Sequence, residues 1–268
     1  MSKAPRTTPV EPIDGLAPWV GGKRYLAKTI IPMIDAVPHV CYAEPFVGMG
    51  GVFFRRTSRP RTEVINDLGD DVFNLFRIVK HHAPALLDEI EFTLASRRLF
   101  ELILRLDPST LTDVQRAARF FVWQSLCYSG RPGNRSFPIC SVQGRGRRKE
   151  AVHRRLAAAH SRLAKVTIEH LPWQDFIASY DRSTTLFYLD PPYWGRETLY
   201  GKGLFSRADF EQMADLLARL KGRFILSLND LPEVRHIFAR FELQQVSVSY
   251  SAAPGAHVRA GELLITGP

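Results

Sequence analysis

The chain has 268 residues, 45% of them hydrophobic, with a formal net charge of +9 and a pI near 9.7. This suits one large domain, or one domain carrying an insertion, and argues against disorder; the surplus positive charge favours a polyanionic partner. No apolar run of about 18 residues exists and Met1–Pro12 is polar, so neither a membrane-spanning helix nor a secretory signal is expected.

The predicted elements, in chain order, begin after a loose tail over residues 1–14. Val40–Phe46 reads as a buried strand ending at glycines, and Arg61–Asp67 as a β-branched strand ending in an acid. Asp70–His81 has helical spacing of apolar residues, with two aspartates at its start and histidines at its end, where each charge suits the helix dipole. Leu99–Leu106, Asp113–Tyr128 and Lys149–Leu163 read as helices. Gly130–Gly146 between them reads as a basic, glycine- and proline-rich loop. Strands follow at Val166–Glu169, Thr184–Asp190 and Arg223–Ser227, then a helix at Ser206–Leu220 lies between the last two, and strands at Gln245–Tyr250 and Glu262–Thr266 close the chain. Alternating strands and helices predict a mostly parallel α/β sheet over 15–83 and 165–268, interrupted by a helical insertion over 84–164.

Three patterns carry chemistry. Phe46-Val47-Gly48-Met49-Gly50-Gly51 places glycines at the end of the first strand, which permits either an ordinary tight turn or close backbone approach to a ligand. Asp67 ends the next strand, where an acid meets a ribose in nucleotide-binding α/β folds; the glycine spacing is not that of a dinucleotide site. Asp190-Pro191-Pro192-Tyr193 makes a stiff turn at a strand end, since prolines fix φ and lack an N–H. Its carboxylate and the Pro191 carbonyl suit the two donors of an amino group on a flat base, with the Tyr193 ring to stack on it. Arg145, Arg147, Arg148, Lys149, Arg154 and Arg155 form a basic cluster that is either a solvated helix face or a phosphate-contacting surface. The cysteines, Cys41, Cys127 and Cys140, are far apart and the histidines scattered, so no metal site and no disulfide framework are expected.

Asp190-Pro191-Pro192-Tyr193 and Phe46–Gly50, preceded by Trp19-Val20-Gly21-Gly22-Lys23, resemble the Dam-type DNA adenine-N6 methyltransferases, phage-associated members among them. The order of motifs is the same from about residue 17 to 266. The resemblance implies a Rossmann-like class I methyltransferase fold with a mostly parallel seven-stranded sheet and a helical target-recognition insertion. It implies S-adenosylmethionine as cofactor, bound by Trp19, Gly22, Lys23, Phe46, Gly48, Gly50, Asp67 and Asp190, with Asp175 and Phe176 beside its adenine. Asp190, Pro191, Pro192 and Tyr193 would be catalytic, and Ser227 and Asn229 would lie near the target pocket. DNA would be held by Arg131, Arg135, Arg145, Arg147, Arg148 and Lys149, without a membrane partner and with the protein a cytoplasmic monomer. The aspartate at position 190 favours adenine over N4-cytosine or glutamine acceptors, whose enzymes carry Ser or Asn there. An RNA adenine acceptor and an inactive DNA-binding relative are the remaining alternatives. The chain departs from the family at Asp67-Leu68-Gly69, where Asp-x-Asn is common, and in Trp123–Gly130, where the usual target-reading pattern is absent. With a short insertion, phosphate contacts are expected to outweigh base readout, giving relaxed sequence specificity.

Overall fold

The computed structural model describes residues 7–19, 21, 23–91, 97–126, 145–201, 203–253 and 256–267. Its sheet strands are β2 (Cys41–Glu44), β4 (Thr62–Asn66), β5 (Thr167–Glu169), β6 (Thr185–Leu189), β7 (Arg223–Asn229), β8 (Glu242–Ala253) and β9 (Ala256–Thr266). A separate two-stranded sheet pairs β1 (Thr8–Pro9) with β3 (Ser58–Arg59). The seven strands run in the order β5-β4-β2-β6-β7-β9-β8. All are parallel except β9, which inserts antiparallel between β7 and β8. The core is therefore a doubly wound sheet with an antiparallel hairpin at one edge, the Rossmann-like class I methyltransferase fold expected from the motifs.

Strands β2, β4 and β6 form because their apolar runs are covered on both faces: every residue of β6, Thr185 to Leu189, is buried. One face packs against Leu75, Phe76 and Val79 of α2 (Asp70–His81) and the helices beyond it. The other packs against α7 (Trp173–Tyr180) and α8 (Arg207–Leu217). Helix α8 starts at a capping box in which Ser206 and Asp209 satisfy each other's backbone N–H.

The insertion consists of α3 (Ala83–Glu91), α4 (Arg97–Arg105), α5 (Asp113–Leu126) and α6 (Arg145–Leu163). Its apolar residues Phe121, Leu156 and Leu163 join the same core cluster as Ile65 of β4 and Leu186 of β6, so these helices extend the core of the sheet. A buried triad strengthens that attachment. Glu63 on β4 accepts from Arg56 Nη1 at 2.8 Å and from Arg162 of α6 at 2.5 and 2.7 Å.

Several elements differ from expectation. Helix α6 begins at Arg145, so Arg145–Arg147 lie in helical turns instead of a loop. The rest of the expected loop, with Arg131, Arg135 and Cys140, lies outside the described residues, as do Cys127 and Gly22. The β8–β9 hairpin is longer than its apolar cores, because backbone pairing continues through Tyr250↔Val258 into polar sequence. Helix α1 (Ala27–Ala36) contains Pro32, which conceals its helical pattern in the sequence. Short helices α3, α7 and α9 (Pro232–Ile237) likewise lacked a long periodic signal.

Candidate active site

In an open parallel sheet, ligands bind beyond the carboxyl ends of the strands where the winding direction reverses. Here that point lies between β2 and β6, which pair in parallel and whose successors run to opposite sides. The glycine segment follows β2 and Asp190-Pro191-Pro192-Tyr193 follows β6, so the fold itself brings the two motifs together. A cavity of about 430 Å³ opens there.

One wall is the turn after β2. Gly48 and Gly50 have φ of 50° and 72°, a region that side chains rarely enter. A Cβ on Gly48 would meet Trp19 Nε1 at 2.7 Å, so the glycine makes room for the indole that lines the cavity. Asp67, at the end of β4, shapes the turn through its side chain. Its two oxygens accept from the backbone N–H groups of Gly48 and Gly69, each at 2.9 Å. Burial pushes its carboxyl up to about 6, against the lowering effect of those hydrogen bonds. Asn66 ties the strand ends together by donating to the carbonyls of Pro45 and Leu171.

The opposite wall is the turn after β6. Asp190 Oδ1 receives Lys23 Nζ at 2.7 Å and Ser227 Oγ at 3.1 Å. Both contacts fall on Oδ1, and the carboxylate, which lines the cavity, keeps 21% of its exposure. Burial raises the Asp190 carboxyl above its ordinary value, while the Lys23 ammonium opposes that rise. Lys23, itself buried, spends its three donors on Asp190, on the Tyr193 hydroxyl at 2.7 Å and on the Gly21 carbonyl at 3.0 Å. The following residue is clamped too: Trp194 N–H donates to Asn229 Oδ1, and Asn229 Nδ2 donates back to the Trp194 carbonyl, both at 3.1 Å.

The structure thus gathers Trp19, Lys23, Phe46, Gly48, Asp67, Asp190 and Pro192 around one cavity. Gly50 turns its free side toward Phe54 and supports the turn from behind. Pro191 is buried beneath it, and Tyr193 is fixed through its hydroxyl. Asp175 and Phe176 are not brought to the cavity. Phe176 is fully buried and packs on Tyr180, because Trp173, Phe176, Ile177 and Tyr180 form the inward face of α7. Asp175 instead lies in the first turn of that helix, where an acid complements the dipole.

Glu44 and Arg24, which sequence reasoning missed, also line the cavity, as does Arg155, expected only as part of the basic cluster. Glu44 accepts from the Tyr42 hydroxyl at 2.8 Å, and burial raises its carboxyl to about 8, so it is mostly protonated at neutral pH. Its place just before Pro45-Phe46 was a signal, read only as the end of a strand. Arg155 comes from α6 and donates to the Leu16 carbonyl at 3.3 Å, so the insertion reaches the cavity.

The fold and this pair of strand-end motifs define a class I methyltransferase acting on an amine. The model of the D12 class N6 adenine-specific DNA methyltransferases matches residues 19–252, and the chain belongs to that family. It is 24% identical to the type II methyltransferase M1.LlaDCHI of Lactococcus lactis subsp. cremoris, over 92% of this chain and 93% of that protein. It is 22% identical to the type II methyltransferase M.CviBI of Paramecium bursaria Chlorella virus NC1A, covering 82% and 84%. Identity to the DNA adenine methylase of Haemophilus influenzae is 23%, covering 92% and 91%. The protein is a DNA adenine-N6 methyltransferase and its methyl donor is S-adenosylmethionine. No helix among the described residues is long and apolar enough to cross a membrane, and no metal-binding cluster occurs among them.

The cavity fits that cofactor. Its volume is that of a small-molecule site. Apolar Val47, Met49 and Val72 suit a flat ring, Glu44 and Asp67 suit hydroxyl and amine groups, and Gly48 keeps the backbone close.

Proposed function

We propose that Asp190, in the cavity between the two turns, accepts the exocyclic amine of an adenine flipped out of DNA and presents it for methylation. Bound S-adenosylmethionine supplies an electrophilic methyl group on a sulfonium. The observation that carries this reading is the division of labour on the Asp190 carboxylate. Lys23 and Ser227 hold Oδ1, and Oδ2 remains for an N–H donor facing the cavity. An adenine amine is conjugated with its ring and is a weak nucleophile. Hydrogen bonds from that amine to Oδ2 and to the Pro191 carbonyl favour a more tetrahedral nitrogen with its lone pair free. Positioning and electrostatics then supply most of the acceleration. Tyr193 stacks on the base, whose ring otherwise could not leave the duplex at tolerable cost.

Trp19, Lys23, Phe46, Gly48 and Asp67 form the cofactor side of this site. Asp67 has a dual task, shaping the turn through Gly48 and Gly69 while facing the ribose. DNA phosphates meet the insertion, at Arg131 and Arg135 and at the start of α6 with Arg145, Arg147, Arg148 and Lys149. The enzyme acts as a cytoplasmic monomer, since one chain supplies both walls of the site, with specificity for adenine and relaxed choice of its flanking bases.

Incubation with methyl-labelled cofactor and DNA tests the reading. Label recovered as N6-methyladenine supports it; label in cytosine, in RNA alone or in neither contradicts it. Single-molecule mapping of the product on random DNA tests the choice of sites, and one strict four- to six-base sequence would refute relaxed specificity.

A further inference from the structure

Strand β9 contributes a buried carboxylate that none of the sequence motifs contains. Glu262 is 2% exposed and lies opposite Asn229 of β7 in the antiparallel register. A carboxylate at that depth requires donors. One is the Tyr193 hydroxyl, whose oxygen lies 2.5 Å from Glu262 Oε2. With its proton directed to Glu262, the same hydroxyl oxygen accepts from Lys23 Nζ at 2.7 Å. Lys23 in turn holds Asp190 Oδ1. The donors therefore run in one direction on the β9 side, Lys23 to Tyr193 to Glu262, and Lys23 also donates to Asp190. Neighbouring positions cooperate: Asn229 clamps the Trp194 backbone while Glu262 clamps the Tyr193 side chain.

We propose that Glu262 is a positioning residue for methyl transfer, acting through the Tyr193 hydroxyl to fix the Tyr193 ring and to aim the Lys23 ammonium at Asp190 Oδ1. This rests on the reading of Asp190 as the acceptor of the target amine. Without Glu262 the tyrosine hydroxyl loses the carboxylate acceptor at 2.5 Å that orients its proton away from Lys23. Lys23 then loses one of its three anchors, and the Asp190 carboxylate is free to rotate away from the geometry in which Oδ2 meets the target. A small displacement of a reacting group is enough to slow a positioned reaction severalfold.

The test is a double-mutant cycle on single-turnover methyl transfer at saturating cofactor and DNA. Glu262→Ala and Tyr193→Phe should each slow transfer about tenfold, and the double variant should be no slower than the slower single one. Glu262→Gln keeps an acceptor for the hydroxyl and should restore the rate to within about threefold of wild type. Cofactor affinity and the thermal midpoint, measured on the same proteins, should be alike for Glu262→Gln and wild type. If the two single effects multiply, or if Glu262→Gln is as slow as Glu262→Ala, the role through Tyr193 is overturned while an active wild type upholds the functional reading. If wild-type protein transfers no methyl group to adenine, the functional reading falls and the role of Glu262 with it.

Discussion

Two constellations of buried charge sit a few strands apart, and their chemistry is almost the same. In one, Glu63 is held by Arg56 and Arg162, all three within the core and flanked by the rings of Tyr42 and Phe53. In the other, Lys23, Asp190, Tyr193 and Glu262 share hydrogen bonds of similar length. The difference is access. Arg56 is fully buried and some of its nitrogens are left without partners, so the Glu63 group ties the sheet to α6 and offers nothing to a ligand. Asp190 opens on a cavity and keeps one oxygen for an incoming donor. Buried charge alone therefore marks no active site; a charge with an unspent hydrogen-bonding position facing a cavity does.

The sharpest way to break that contrast is to truncate the sealed group. Glu63→Ala leaves two arginines buried without their carboxylate and should cost about 3–5 kcal/mol of stability. Urea denaturation measures the loss, and the fraction that remains folded should transfer methyl groups at nearly the wild-type rate. A drop in rate without loss of stability would place Glu63 in the site instead.

Glu44 lies between the two constellations, buried but lining the cavity. Its carboxyl is raised from 4.5 to about 8, so the folded state holds a proton that the unfolded state releases. This contribution is full below about pH 4.5 and is lost as pH rises through about 8, on the order of a few kcal/mol. Glu44→Gln should remove that decline, and denaturation of both proteins at pH 6 and pH 9 checks it. Equal pH dependence in the two would mean that Glu44 is ionised at neutral pH.

A smaller effect is expected from Ser227→Ala, which removes one of the two donors on Asp190 Oδ1. Transfer should slow about fivefold, the equivalent of about 1 kcal/mol, with cofactor affinity unchanged. The smallest is at the insertion. Arg147→Ala, if that side chain meets a phosphate, should lower the slope of log affinity against log salt by about 1 and weaken binding to all DNA sequences alike. An effect confined to one sequence would indicate base readout.

How much of this was legible in the sequence follows from the range of each interaction. The strands ending at Glu44, Asp67 and Asp190 were readable because apolar runs stop abruptly at glycine, acid or proline, and those stops are also the site. Gly48 and Asp67 could be paired because consecutive parallel strands end side by side. Helix α7 is only eight residues long, so the helical face that buries Phe176 leaves no periodic signal in the sequence. Glu262 left no local trace: its partner Tyr193 is 69 residues away and is reached only when β9 folds back antiparallel beside β7. The same holds for Glu63, whose ion pair with Arg162 spans 99 residues.

The central claim is that Asp190 handles the target amine and is dispensable for holding the cofactor. Asp190→Ala, compared with wild type in single-turnover transfer to DNA and in calorimetric binding of S-adenosylmethionine, tests it most directly. The account predicts a loss of transfer of about a thousandfold or more with cofactor affinity within about threefold of wild type, a change of under 1 kcal/mol. Transfer that survives the substitution, or a cofactor affinity that collapses with it, would contradict the account.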